Sequence, residues 1–192
     1  MQAFAALVDA LVYTRSRDAK IRLIADYLRV TPDPDRGWAL AALAGTLSIA
    51  TVKASAIRAM AEERFDPLLF RMSRDYVGDT AETVALMWPD NPARAAPPSV
   101  AEVIDLLNAT SRARAPSVLA DLMDRLDADG RYALLKLATG AMRVGISARL
   151  AKTAFAQGFG LSVDDVEEVW HALRPPYAEL FAWGEGREDR PN

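Results

Sequence analysis

Two short stretches carry the residue types that hold an oxyanion. Thr14-Arg15-Ser16-Arg17 and Thr110-Ser111-Arg112 each stand where a helix is expected to begin. A small hydroxyl there either caps free backbone N–H groups or leaves them to an anion, and a neighbouring arginine adds a charge-assisted bond. Lys20 follows one turn later. A third stretch, Gly140-Ala141-Met142-Arg143-Val144-Gly145-Ile146-Ser147-Ala148-Arg149, sets an arginine between two glycines. Glycine allows positive φ and close backbone approach, which makes this an anion-binding turn in outline. Ser147 is expected to cap the helix that follows. An earlier segment, Gly45-Thr46-Leu47-Ser48-Ile49, offers a similar turn without the arginine. Plain capping and a tight helix–helix connection are the structural alternatives for all of them.

Asp75, Asp79 and Glu82 put three carboxylates within eight residues. Metal binding or acid/base chemistry must be weighed there. Asp79 followed by Glu82 also opens a helix as a capping pair, and no histidine or further acid completes a metal shell. The structural reading is preferred. The tryptophans Trp38, Trp88, Trp170 and Trp183 are assigned to the core or to a partner surface, and His171, at the end of an acidic helix, to a structural role. No glycine loop ending in Gly-Lys-Ser/Thr, no nucleophile elbow and no cysteine–histidine pair occurs.

The elements that must position these residues are helices. Phe4, Leu7, Val8 and Leu11 recur at spacings of three and four, as do Ile21, Ile24, Tyr27 and Leu28, and Val103, Ile104 and Leu107. Alternation long enough for strands is missing. About a dozen short helices in one all-α domain, residues 1–186, are expected. Breaks fall at residues 31–37, 65–67 and 88–98. Asp66-Pro67 has the form of a cap and first turn, and Ser99 and Ser117 are candidate caps. The Pro/Ala-rich stretch 89–98 is the most obvious linker. Shifted by 95 residues, 8–61 aligns without a gap on 103–156. Ser16/Ser111, Arg17/Arg112, Arg36/Arg131 and Gly45/Gly140 are among the identical pairs. An internal pseudo-two-fold duplication is expected.

With no cysteine and one histidine, thiolate and histidine-rich metal sites are excluded. Nothing resembles a signal peptide or a membrane span, so a cytoplasmic protein is expected. The net charge of −3 hides two acid-free segments. Residues 37–61 carry Lys53 and Arg58, and residues 130–163 carry Arg131, Lys136, Arg143, Arg149 and Lys152. Such segments can form a basic face on an acidic chain.

Residues 11–28, 66–89 and 131–156, followed by 169–186, resemble the N-terminal region of ATP-dependent DNA ligases, most closely the bacterial type common in alphaproteobacteria. The Gly140–Gly145 turn is the most specific element, with Met142 and Val144 in place of the usual Leu and Ile; Gly78–Glu82 is also typical. The resemblance covers essentially the whole chain. It implies a pseudo-symmetric helical domain that grips nicked double-stranded DNA through minor-groove phosphates, together with adenylation and OB-fold domains of the same parent protein. Carried over, the contact residues are Thr14, Ser16, Arg17, Lys20, Thr110, Ser111, Arg112, Gly140, Arg143, Gly145 and Ser147. Gly45, Ser48 and Arg149 join them from the repeat and the charge pattern.

The Lys-x-Asp-Gly motif of the adenylated lysine does not occur. Neither ligation nor a cofactor is expected of this chain; ATP and Mg²⁺ belong to the full-length ligase. Residues 187–192 are expected to begin the linker to the missing adenylation domain, and a monomer is expected. Two other readings stand beside this one. One is a helical-repeat interaction scaffold without DNA affinity. The other is a helical-repeat DNA glycosylase using a carboxylate such as Asp79.

Overall fold

Short polar residues start most of the helices. Ser16, Asp66, Asp79, Ser99, Asp127, Ser147 and Ser162 each accept a bond from the backbone N–H three positions on, which satisfies one of the open donors of a first turn. Pro67 sits directly behind Asp66, where its missing N–H costs nothing. Gly78, Gly140 and Gly160 end helices in the left-handed conformation.

The structure, a computed structural model, describes residues 1–50, 52–140, 142 and 144–192. Among the described residues there are twelve helices and no strand: α1 Gln2–Tyr13, α2 Arg17–Val30, α3 Asp35–Leu43, α4 Ala54–Arg64, α5 Pro67–Val77, α6 Thr80–Met87, α7 Val100–Ala109, α8 Ala115–Met123, α9 Ala128–Thr139, α10 Ala148–Phe159, α11 Val163–Trp170 and α12 Ala178–Gly184. The all-α class read from periodicity is the observed one. Among the described residues no helix is long and apolar enough to cross a membrane.

The chain folds as two compact units, each assembled from separate stretches. The first comprises Met1–Ala5 and Ser48–Ala141, the second Ala6–Leu47 and Met142–Asn192. In the first unit, α4 packs on α8, α6 on α9, and α7 on both α8 and α9. Val84, Trp88, Val103, Ile104, Leu107, Leu119, Met123 and Leu134 are buried there. The stretch 89–98 is tied into this unit. The N-terminal ammonium donates to Pro98 O at 2.7 Å, and Arg125 Nε donates to Ala96 O at 2.9 Å. Arg131, only 1% exposed, donates to Met123 O, Trp88 O and Pro89 O and meets the Asp90 carboxylate at 3.1 Å.

In the second unit, α2 and α10 run against each other over most of their length. Gly158 of α10 faces Ala25 of α2, where a Cβ would lie at an ordinary contact distance of 3.4 Å. Ile21, Ile24, Leu28, Leu40, Phe155 and Phe181 are buried, with Phe155, Phe159 and Phe181 in mutual ring contact. Arg36 is buried against Phe181 and bonded to Asp33, Glu185 and Leu28 O. Residues 187–192, expected to leave as a linker, include two arginines held by this unit. Arg187 pairs with Glu185, and Arg190 with Asp165 and Glu168.

Candidate nucleic-acid interface

The sequence pattern asks whether hydroxyl, glycine and arginine residues gather at helix starts. In the second unit they do. Ser16 is extended (φ −67°, ψ 126°) and its Oγ accepts from Ala19 N at a long 3.3 Å. Arg17 opens α2 with its side chain exposed, 4.0 Å from the Asp18 carboxylate. One turn on, Lys20 Nζ donates to Val144 O at 2.9 Å and to Gly145 O at 3.3 Å. That bond joins the start of α2 to the turn ahead of α10. Gly145 takes φ +67°, and a Cβ there would lie 2.7 Å from Lys20 Nζ. Ser147 then caps α10 by accepting from Leu150 N at 3.1 Å. Arg149 stands exposed in the first turn of α10, 3.9 Å from Glu167. Two helix starts, each with partial positive charge from its open N–H groups, therefore share one corner with Arg15, Arg17 and Arg149, all exposed. Arg143 lies outside the described residues.

Several expected contact residues have their polar groups turned inward. Thr14 donates its hydroxyl to Ala10 O at 2.7 Å, and Thr110 donates to Leu106 O at 2.6 Å. A threonine has a single O–H, so neither has another to offer an anion. The Gly45 N–H goes to Ala42 O and the Gly140 N–H to Leu137 O. Both glycines have positive φ and close the ends of α3 and α9. They shape the turns by conformation and do not present donors.

The repeat corner in the first unit differs from the expectation. Ser111 does not cap a helix: Arg114 N and Ala115 N donate to its carbonyl in a preceding turn, and α8 begins only at Ala115. Pro116 sits in that first turn, where a missing N–H is tolerated. Ser117, a candidate cap, lies inside α8 and donates to Arg114 O. Arg112 and Arg114 are both exposed, and Arg114 adds a cation that the helix-start pattern does not mark. The segment entering α4 holds exposed Ser48 and Lys53, and Lys53 occupies the N-cap without a side-chain bond. Position 20 has Ala115 as its 95-residue partner, so the bracing lysine has no equivalent.

The basic segments also contribute less surface charge than their composition implies. Arg131 is buried, and Lys136 is bonded to Asp79. No local pattern connects residues 57 positions apart, so that pair leaves no mark in the sequence. Asp79 also caps α6 by accepting from Glu82 N at 2.9 Å. Burial alone pushes its carboxyl up, but the bonds from Lys136 and the Glu82 N–H win and hold it below the usual range. Asp79 thus serves as the cap that the Asp79/Glu82 spacing suggested and also pairs with Lys136. Trp88 is buried with Nε1 donating to Asp124, and Trp170 is buried against Tyr177. His171 is an exposed C-terminal cap of α11.

No family model and no curated protein matches this chain.

Proposed function

We propose that this chain is a non-catalytic DNA-gripping module of the kind found at the N-terminus of ATP-dependent DNA ligases, holding nicked duplex by its phosphates. The Lys20 brace is the observation that carries the reading. It brings two helix N-termini to one corner, where exposed Arg15, Arg17 and Arg149 surround the capping serines Ser16 and Ser147. Backbone donors, helix dipole and arginine together form the chemistry of phosphate contact, which positions a protein without reading sequence.

The internal repeat belongs to the same reading. Its support lies in the buried arginines. Arg36 donates to the carbonyl of Leu28, eight residues earlier, and Arg131 donates to that of Met123, eight residues earlier. In the alternative glycosylase reading, Asp79 would have to act while bonded to Lys136 and the Glu82 N–H. In the proposal, ATP and Mg²⁺ act on other domains of a parent ligase.

The test is a titration of fluorescently labelled nicked duplex by anisotropy at rising salt. Dissociation constants in the micromolar range that weaken steeply with salt and ignore base sequence are expected. Binding insensitive to salt, or no binding at low salt, overturns the proposal.

A further inference from the structure

The helical hairpin α5–α6 turns an apolar face outward that its own unit does not use. On α5 the inward side is Phe70, buried and tilted against the ring of Phe65, which in turn meets Trp88 edge-on. The outward side carries Leu68, Leu69, Met72 and Tyr76, and α6 adds Leu86; these five are between 56% and 93% exposed. Leu69, Met72, Ser73, Tyr76 and Val77 of α5 line, with Thr83, Leu86 and Met87 of α6, a groove of about 460 Å³. At about 200 Å² for a large side chain, the face offers on the order of 600 Å² of apolar surface, the upper end for a monomer.

We propose that this face binds a second copy of the chain, with α5 antiparallel to α5 across a two-fold axis beside Met72. Three observations select this occupant. First, two such faces, fully covered, would bury at most about 1,200 Å², the lower bound of a specific interface. Second, the apolar stripe is symmetric in spacing about Met72. On a 3.6-residue helix Leu68, Met72 and Tyr76 share one stripe. A two-fold at Met72 sets Tyr76 of one copy over Leu68 and Leu69 of the other, at the mouth of the groove. Third, it is self-complementary in charge. Arg71 and Asp75, both exposed, lie on the same flank of the stripe. In the antiparallel arrangement each Arg71 falls opposite Asp75 of the second copy, within about one helical turn.

An isologous interface at the lower bound of size predicts a dimer that dissociates on dilution. Sedimentation equilibrium of the full chain from about 1 to 500 μM tests it. The expected result is a concentration-dependent doubling of mass that Leu69→Arg and Met72→Glu each abolish, with unchanged far-UV circular dichroism and melting temperature. Asp75→Arg should weaken the dimer several-fold, and adding Arg71→Asp should restore it. The chain has no cysteine, so Met72→Cys with a short bis-maleimide gives an independent readout: a covalent dimer is expected, and none from Asp189→Cys. A monomeric mass at every concentration overturns the proposal. So does a dimer that survives both patch variants, since it must then use another surface.

Discussion

Arg36 and Arg131 stand 95 positions apart, and each sends its guanidinium back to a carbonyl eight residues earlier, Leu28 O at 3.4 Å and Met123 O at 3.1 Å. Each also meets a carboxylate distant in sequence, Glu185 for Arg36 and Asp90 for Arg131. Asp90 and Glu185 are themselves 95 apart, and so are the tryptophans Trp88 and Trp183 just before them. The same fork of five donors thus serves as an internal tie within each unit.

Arg131 should be the more sensitive of the two. It is 1% exposed and its bonds go to three backbone carbonyls, which are left without partners when the guanidinium is removed. Arg131→Ala is expected to cost about 3–5 kcal/mol of stability, since breaking a buried charged network strands its partners. Urea denaturation of the variant against the wild type measures this. A loss below about 1 kcal/mol is the figure for an ordinary surface pair and contradicts the role given to Arg131.

Gly37 and Gly45 should respond differently to the same substitution. A Cβ on Gly37 would lie 1.7 Å from the carbonyl oxygen of Pro176, a backbone atom that cannot step aside. Gly45 has open space but φ +73°. Gly37→Ala is therefore expected to cost about 3 kcal/mol or more, the upper range of overpacking. Gly45→Ala should cost about 1 kcal/mol through backbone strain alone. Thermal and chemical melts of both variants decide it; equal effects would show that helix α3 yields at Gly37.

The helices and most of their starts were legible in the sequence because the signals are local. Asp66-Pro67, Asp79 and Ser99 each cap the helix they precede. Signals fail where the decision is tertiary. Ser117 looks like a cap, yet α8 already begins at Ala115. Arg131 reads as surface charge until the carbonyls of Trp88, Pro89 and Met123 converge on it. Lys20 reads as a phosphate contact, and only the fold brings the carbonyl of Val144 to it across 124 positions. The composition of each unit from separate stretches is equally invisible to periodicity, because no linker marks it.

Stability should fall on acidification. Hydrogen bonds from Arg36 and Arg187 outweigh burial and hold the Glu185 carboxyl below its ordinary value, and Arg125 does the same for Glu102. Asp79 is also depressed, burial there being outweighed by Lys136 and the Glu82 N–H. Between the folded and the ordinary values the unfolded chain binds more protons, so stability rises with pH there. The contribution is complete above the ordinary carboxylate range and is lost as pH falls through the depressed values. Melting temperatures from pH 7 to pH 3 should therefore be level and then drop. Glu185→Gln should melt lower at pH 7 and lose less on acidification. A Glu185→Gln variant with the wild-type pH profile would show that Glu185 does not carry the acid sensitivity.

Salt dependence separates direct phosphate binding from support in the proposed DNA grip. Removing one side chain that neutralises a phosphate should reduce the slope of log K against log salt by about 0.9. Arg17 and Arg149 are exposed at the starts of α2 and α10, so Arg17→Ala and Arg149→Ala are each expected to weaken binding several-fold and to lower the slope by about one. Lys20 directs its ammonium inward to Val144 O and Gly145 O. Lys20→Met should therefore weaken binding by loosening the turn while leaving the slope nearly unchanged. Anisotropy titrations at about four salt concentrations resolve the two behaviours. A slope that falls by one in Lys20→Met would make that lysine a phosphate ligand. Unaltered binding in both arginine variants would take the grip away from this corner altogether.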